Sequence, residues 1–208
     1  MNQLDVINLH EEFFKVHGFG LNSSGFMFKK EFDVGRQVVF VHLVENTDPC
    51  FLEYKLGIRI DEVEQMIHQY LPILSNYADQ SITLMQTPDN LGKNNPRQLP
   101  VNSSSELSEA IESMKEFFCD TGFKWLEELS NPVVLEQEFL ANIEHPFESH
   151  NLVYSAFRST ALSKLYAPDD YPLLRQAFLA KIDPEEMTPI TIASFLQFLD
   201  FLDHYQTL

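Results

Sequence analysis

The first half of the chain changes from a helical to an alternating pattern of apolar residues. Apolar side chains recur every three or four positions over residues 3–17, which is typical of an amphipathic helix, and Asn2 is placed to cap it. Three predicted strands follow, over residues 25–32, 37–45 and 50–60. The third alternates most regularly, and one of its faces is predicted to be apolar throughout: Leu52, Tyr54, Leu56, Ile58 and Ile60.

A second helix is predicted to begin at Asp61, because Glu64 follows three residues later and completes a capping box. Residues 80–86 predict a fourth strand, which gives the order α-β-β-β-α-β. Residues 87–102 hold three prolines, four asparagines and a glycine, a composition typical of a long loop.

From residue 103 onward the pattern is helical, in segments joined by short links. The sequence therefore predicts an α+β fold, in which an antiparallel sheet of about four strands is followed by a helical C-terminal part. The predicted divisions are a sheet subdomain over residues 1–87, a loop over 88–102 and a helical subdomain over 103–208. We expect the two subdomains to pack as one unit.

Composition limits the classes of function. Apolar residues make up 44% of the chain and include 18 Phe, enough for a substantial core. No apolar run approaches the ~20 residues of a membrane-spanning helix, and the N-terminal residues lack the features of a signal peptide. Cys50 and Cys119 are too few for a disulfide framework, which favours a reducing cytoplasm.

Acidic residues dominate the charge. The formal net charge is −17, and the pI of about 4.6 disfavours nucleic acid and anionic membranes as partners. Residues 103–148 hold eleven of the 31 carboxylates and only two of the 14 basic residues, a formal charge of −9.

The start of this acidic stretch predicts an amphipathic helix over residues 103–120, and Ser103 with Glu106 forms a capping box at its start. At ~100° per residue, an apolar stripe lies opposite a ladder of like charges. The stripe contains Leu107, Ile111, Met114 and Phe118; the ladder, here named the acidic face, contains Glu109, Glu112, Glu116 and Asp120. One interpretation is a solvated surface that keeps the protein soluble; the other is a docking surface for a basic protein.

The sequence contains no recognisable catalytic motif. His42 falls in the predicted central strand, where a buried, hydrogen-bonded histidine is the favoured interpretation and a general base is the alternative. His42 and Tyr54 together mark a candidate ligand pocket between the sheet and the helices. On the second face of the third strand, Glu53, Lys55 and Arg59 could contact solvent or a ligand.

Residues 144–150 combine residue types that ligate zinc, His145, Glu148 and His150. Pro146 interrupts the helical spacing that a zinc motif on a helix requires, so an ordinary surface loop is the favoured interpretation. The sequence predicts no metal site and no cofactor.

Four segments, FFKVHGFG, GFMFKKEF, QVVFVHLVE and FLEYKLGIRI, resemble a class of uncharacterised bacterial proteins that begin with a helix and a strongly bent antiparallel sheet. The resemblance covers roughly residues 5–87. It implies that fold and a bacterial source, and some proteins of similar layout are thought to be immunity or interaction proteins. The class has no catalytic motif, so the resemblance implies no functional residue.

We therefore expect a non-catalytic protein-interaction or immunity-type protein, whose acidic face covers a basic surface of its partner. The alternative is a small-molecule-binding protein or enzyme that uses the pocket near His42 and Tyr54. A third interpretation is that the acidity provides only solubility.

Overall fold

The computed structural model describes residues 2–22, 26–45, 47–71, 78–92, 95–142, 152–183 and 187–206. The N-terminal helix is followed by strands and then by C-terminal helices, as the α+β prediction requires. The elements are α1 (Gln3–Val16), β1 (Gly20–Asn22), β2 (Met27–Phe32), β3 (Gly35–Val44), β4 (Cys50–Ile60), α2 (Asp61–His68), β5 (Leu84–Gln86), α3 (Pro88–Leu91), β6 (Gln98–Val101), α4 (Ser104–Phe117), a π-helical turn (Phe118–Gly122), α5 (Phe123–Leu129), α6 (Pro132–Ala141), α7 (Leu152–Tyr166), α8 (Tyr171–Ala180) and α9 (Pro189–His204).

The sheet has the strand order β1-β2-β3-β4-β5, and β6 also pairs with β4. Strand β4 is long enough to pair with β6 along Cys50–Glu53 and with β5 along Leu56–Ile58. The sequence predicted about four strands; β1 and β6 were missed because three or four residues are too short to show an alternating pattern. Strand β6 lies within the predicted loop over residues 87–102.

Two compact units, each built from two segments, make up the chain. Unit 1 contains residues 1–59 and 84–130, and unit 2 contains residues 60–83 and 131–208. The predicted boundaries at residues 87 and 103 do not coincide with this division. It also separates the acidic stretch, because residues 103–130 belong to unit 1 and residues 131–148 to unit 2.

An aromatic core stabilises unit 1. The Phe14 ring on α1 stacks on Phe28 of β2 at 4.5 Å and meets Phe118 edge-on at 5.1 Å. Such pairs contribute about 0.5–1.5 kcal/mol beyond their buried area. The predicted apolar face of β4 is fully buried, and so is the predicted apolar stripe of α4.

Helix α4 passes into α5 through the π-helical turn. Gly122 allows this turn to approach β4 closely. A Cβ at Gly122 would lie 2.8 Å from Phe118 Cδ1 and 3.1 Å from Leu56 Cδ2, so a larger residue would not fit without movement.

Unit 2 is centred on α7, which contacts α2, α6, α8 and α9. The predicted cap of α2 is wrong. Ile60 occupies the N-cap position, and no side chain among the described residues caps the helix. Glu64 is instead completely buried. Its carboxylate accepts hydrogen bonds from Arg158 of α7 at 2.9 and 3.1 Å, which offset the cost of burying its charge.

Across the described ranges, we find no helix that combines the length and the apolar character needed to span a lipid bilayer.

Candidate functional site

The acidic face is held outward by the way α4 is anchored. Ser103 accepts a hydrogen bond from the Glu106 amide and caps the helix, as predicted. The buried apolar stripe fixes the rotation of the helix about its axis, and that rotation leaves all four side chains of the acidic face exposed. The structure therefore keeps Glu109, Glu112, Glu116 and Asp120 on one accessible surface.

Basic side chains compensate little of this charge. Lys115 Nζ lies 2.7 Å from Glu112 Oε1, three residues away on the same helix. Among the described residues, no lysine, arginine or histidine nitrogen lies within 4.0 Å of Glu109, Glu116 or Asp120. Three of the four carboxylates are therefore available to a cation from outside the protein.

The neighbouring carboxylates of α5 differ from the acidic face. Glu127 lies 3.7 Å from Lys30, and Glu128 lies 3.9 Å from Lys124. Both pairs are exposed, and exposed pairs contribute little to stability, but each places a cation beside the carboxylate. Between α4 and α5, the carboxylates without a nearby cation therefore lie on α4 and the π-helical turn.

The second predicted site separates in the structure. His42 is exposed, whereas the sequence favoured a buried histidine. Tyr54 is 1% exposed and lies in the core of unit 1. Side chains alternate along a strand, and His42 in β3 faces away from the core that Tyr54 in β4 enters. The two residues therefore do not form one pocket.

Tyr54 is paired inside the core with His10 of α1, a residue that sequence reasoning missed. His10 Nδ1 lies 2.6 Å from the Val6 carbonyl oxygen, which can only accept, so Nδ1 carries the proton. His10 Nε2 then accepts from the Tyr54 hydroxyl at 2.7 Å. Burial lowers the pKa of His10 to about 4 and raises the pKa of Tyr54 well above its ordinary value.

His42 instead lines an open cavity on the other face of the sheet, here named the sheet-face pocket. Its volume is about 300 Å³, which is at the lower end of the range for small-molecule sites. The side chains that define it come from β3, β4, β5 and the residue before β2: Phe26, Phe40, His42, Glu53, Lys55 and Met85. The sequence had placed Glu53 and Lys55 on this face; it did not indicate the three apolar residues as pocket members.

Backbone conformation explains the position of Phe26. Strict alternation would place Phe26 on the same face as Phe28, which is in the core. Phe26 has a φ of 48°, in the left-handed region, and its side chain is 45% exposed beside the pocket. A bulky residue seldom adopts this conformation, and sequence periodicity gives no sign of it.

Unit 2 contains a polar cluster around Glu64. The Thr83 hydroxyl donates to Glu64 Oε1 at 2.9 Å, and Ser81 Oγ lies 2.9 Å from His68 Nε2. Glu64 Oε2 is 3.9 Å from the same nitrogen. A nucleophile–base–acid relay needs the hydroxyl and the carboxylate at different ring nitrogens, so this cluster does not have the geometry of a catalytic triad.

Metal-ligating groups of three or more His, Cys, Asp or Glu side chains are not found within the described part of the chain. The segment with His145, Glu148 and His150 lies outside the described residues. Cys50 and Cys119 are free thiols.

Comparison of the chain with protein families, with curated proteins and with solved structures finds no match.

Proposed function

We propose that this protein is a non-catalytic interaction protein of the immunity type, which docks a basic partner on the acidic face in a reducing cytoplasm. One observation carries the proposal: four carboxylates spaced three, four and four residues apart are exposed on one surface, and among the described residues only Glu112 has a nearby cation. Such a surface is complementary to a cluster of lysines or arginines.

The physics of this surface favours recognition by charge. Like-charged neighbours on a helix cost about 0.2–0.5 kcal/mol per pair, and a cationic partner would relieve that repulsion. A field of one sign also accelerates encounter with an opposite charge, and the acceleration falls as salt is added. Binding should therefore be fast and strongly salt-dependent.

The rigid support of the acidic face adds to the argument. The apolar side of α4 is buried in the aromatic core, and Gly122 seats the following turn tightly against β4. A preorganised charged surface loses little entropy when it binds. This arrangement suits a surface that covers a partner, and it requires no catalytic residue.

The test is a comparison of two charge-matched variants. The first carries Glu109→Gln, Glu112→Gln, Glu116→Gln and Asp120→Asn; the second removes four exposed carboxylates elsewhere, through Glu11→Gln, Glu12→Gln, Asp33→Asn and Asp169→Asn. A partner is captured from cells of the source organism, identified, purified and measured against both variants at low and high salt. A basic toxin encoded beside this gene is the first candidate.

We expect the first variant to lose roughly 10- to 100-fold in affinity, since it removes up to four exposed ion pairs of about 0.2–1 kcal/mol each. The second variant should bind the partner nearly as well as the natural protein does. High salt should weaken partner binding by the natural protein and by the second variant alike. Equal binding by the two variants would show that the acidic face is not the docking surface.

A further inference from the structure

We propose that the sheet-face pocket binds a free aromatic α-amino acid, a zwitterion with a planar apolar side chain. This inference goes beyond the proposed docking function, because the pocket and the acidic face share no residue. It rests on three features of the pocket: a spaced pair of opposite charges, unpaired hydrogen-bond donors and an apolar rim.

The charges match a zwitterion in sign and spacing. Glu53 and Lys55 lie two positions apart on β4 and line the same pocket, and that spacing along a strand is about 6.6 Å. An α-amino acid carries its ammonium and carboxylate on one carbon and makes charge-assisted hydrogen bonds of about 2.8 Å at each end. It can therefore pair with Glu53 and Lys55 at once.

The donors on this surface are available. The side chains of Lys55 and His42 have no hydrogen bond or ion pair to any residue that the structure describes. Glu53 is positioned by Gln98 of β6, whose side-chain amide donates to Oε1, which leaves Oε2 for a ligand. Lys55 and His42 would donate to the ligand carboxylate, and Glu53 would accept from its ammonium group.

The apolar rim accounts for the aromatic side chain. Phe26, Phe40 and Met85 line the pocket together, and Phe26 reaches it through its left-handed backbone conformation. Such a conformation costs about 1–3 kcal/mol and is concentrated at ligand-contacting sites. Ring-to-ring and sulfur-to-ring contacts would hold a planar side chain.

The size of the cavity limits the ligand. At about 300 Å³, the pocket accommodates one amino acid and is too small to enclose a dinucleotide or a folded peptide segment. The mixed signs of Glu53 and Lys55 disfavour a simple anion, since Glu53 would repel it.

The experiment is a calorimetric or NMR titration of the full-length protein with L-phenylalanine, L-tyrosine and L-tryptophan. Three analogues each remove one feature: N-acetyl-L-phenylalanine lacks the cation, L-phenylalaninamide lacks the carboxylate, and L-alanine lacks the ring. We expect at least one aromatic amino acid to bind. Each of the three analogues should bind at least 10-fold more weakly than that amino acid.

Pocket variants locate the site. Lys55→Met, Glu53→Gln and Phe40→Ala should each weaken binding by at least 10-fold, whereas Lys124→Met and Glu128→Gln remove an exposed pair on α5 and should leave binding unchanged. The four-fold variant of the acidic face should also bind the amino acid normally. The proposal would be overturned if none of the three amino acids bound, or if N-acetyl-L-phenylalanine bound as tightly as L-phenylalanine. It would also be overturned if the α5 control variants lost as much affinity as the pocket variants.

Discussion

Two polar side chains, His10 and Tyr54, are buried within the aromatic core of unit 1 and satisfy each other. Either side chain would destabilise the protein if it were buried alone, because a buried polar group without a hydrogen-bond partner costs about 1–3 kcal/mol of stability. The hydrogen bond from Tyr54 to His10 fixes the neutral form of the imidazole. The consequence at the scale of single residues is a dependence of stability on pH.

The free energy of unfolding should decrease by about 3 kcal/mol as the pH falls from about 6.5 to about 4, through His10 alone. His10 has a pKa of about 4 in the folded protein, and about 6.5 when unfolded. The unfolded chain therefore binds a proton first, so this contribution is fully present above pH 6.5 and is lost below it. Urea unfolding at a series of pH values measures the change.

The matched control for this prediction is the double variant His10→Leu with Tyr54→Phe. It removes both polar groups together, which costs little when the shapes are similar. The carboxylates that titrate in the same pH range are present in both proteins. The difference between the two proteins in how the free energy of unfolding changes with pH therefore reports on His10. A pH profile that is identical in the two proteins would contradict the prediction.

At the scale of elements, α2 and α7 are joined inside unit 2 by the Glu64–Arg158 ion pair. Burial raises the pKa of Glu64, but the charge and hydrogen bonds of Arg158 outweigh it and hold the pKa below its ordinary value. Arg158 also lies over the Tyr154 ring at 5.7 Å. Because both charges are removed from water, their pairing decides whether the two helices can pack.

Arg158→Met should destabilise the protein by about 3–5 kcal/mol, because it leaves the Glu64 carboxylate buried without its counter-charge. Adding Glu64→Leu should restore most of that loss, since apolar replacement of both partners of a buried pair is often close to neutral. Denaturant unfolding of the two single variants and the double variant measures the coupling. A single-variant loss below about 1 kcal/mol would show that the pair is not needed.

The elements also show which local patterns were sufficient to predict structure. The capped start and apolar stripe of α4 are as predicted, because both depend on residues three or four positions apart. The cap of α2 was wrong although its motif is complete. A partner 94 positions away in the chain, Arg158, takes the Glu64 carboxylate that a capping box would use.

At the scale of the whole molecule, the negative charge is spread more widely than the acidic stretch suggests. Unit 1 holds 16 acidic and ten basic residues, a formal charge of −6, and unit 2 holds 15 and four, a formal charge of −11. We therefore expect the solubility of the protein not to depend on the acidic face. Docking and solubility can therefore be tested as separate roles of the acidic face.

The four-fold neutralised variant of the acidic face should remain as soluble as the natural protein at pH 7, because its formal charge changes only from −17 to −13. Both proteins should be least soluble at acidic pH, with the natural protein near its pI of about 4.6. Turbidity across pH at low salt measures this. Precipitation of the variant at pH 7 would assign the acidic face a role in solubility.

Local patterns in the sequence were sufficient to predict the α+β class, the buried face of β4 and the orientation of α4. Each of these depends on neighbours within a turn or a strand, where the periods of 3.6 and 2 operate. The partner of each polar side chain, by contrast, depends on how the chain folds in three dimensions. His10 and Tyr54 come together across 44 positions, Glu64 turns inward to Arg158, and His42 joins Glu53 and Lys55 on an open face. Contacts between distant segments follow from how the elements pack, and no local pattern carries that information.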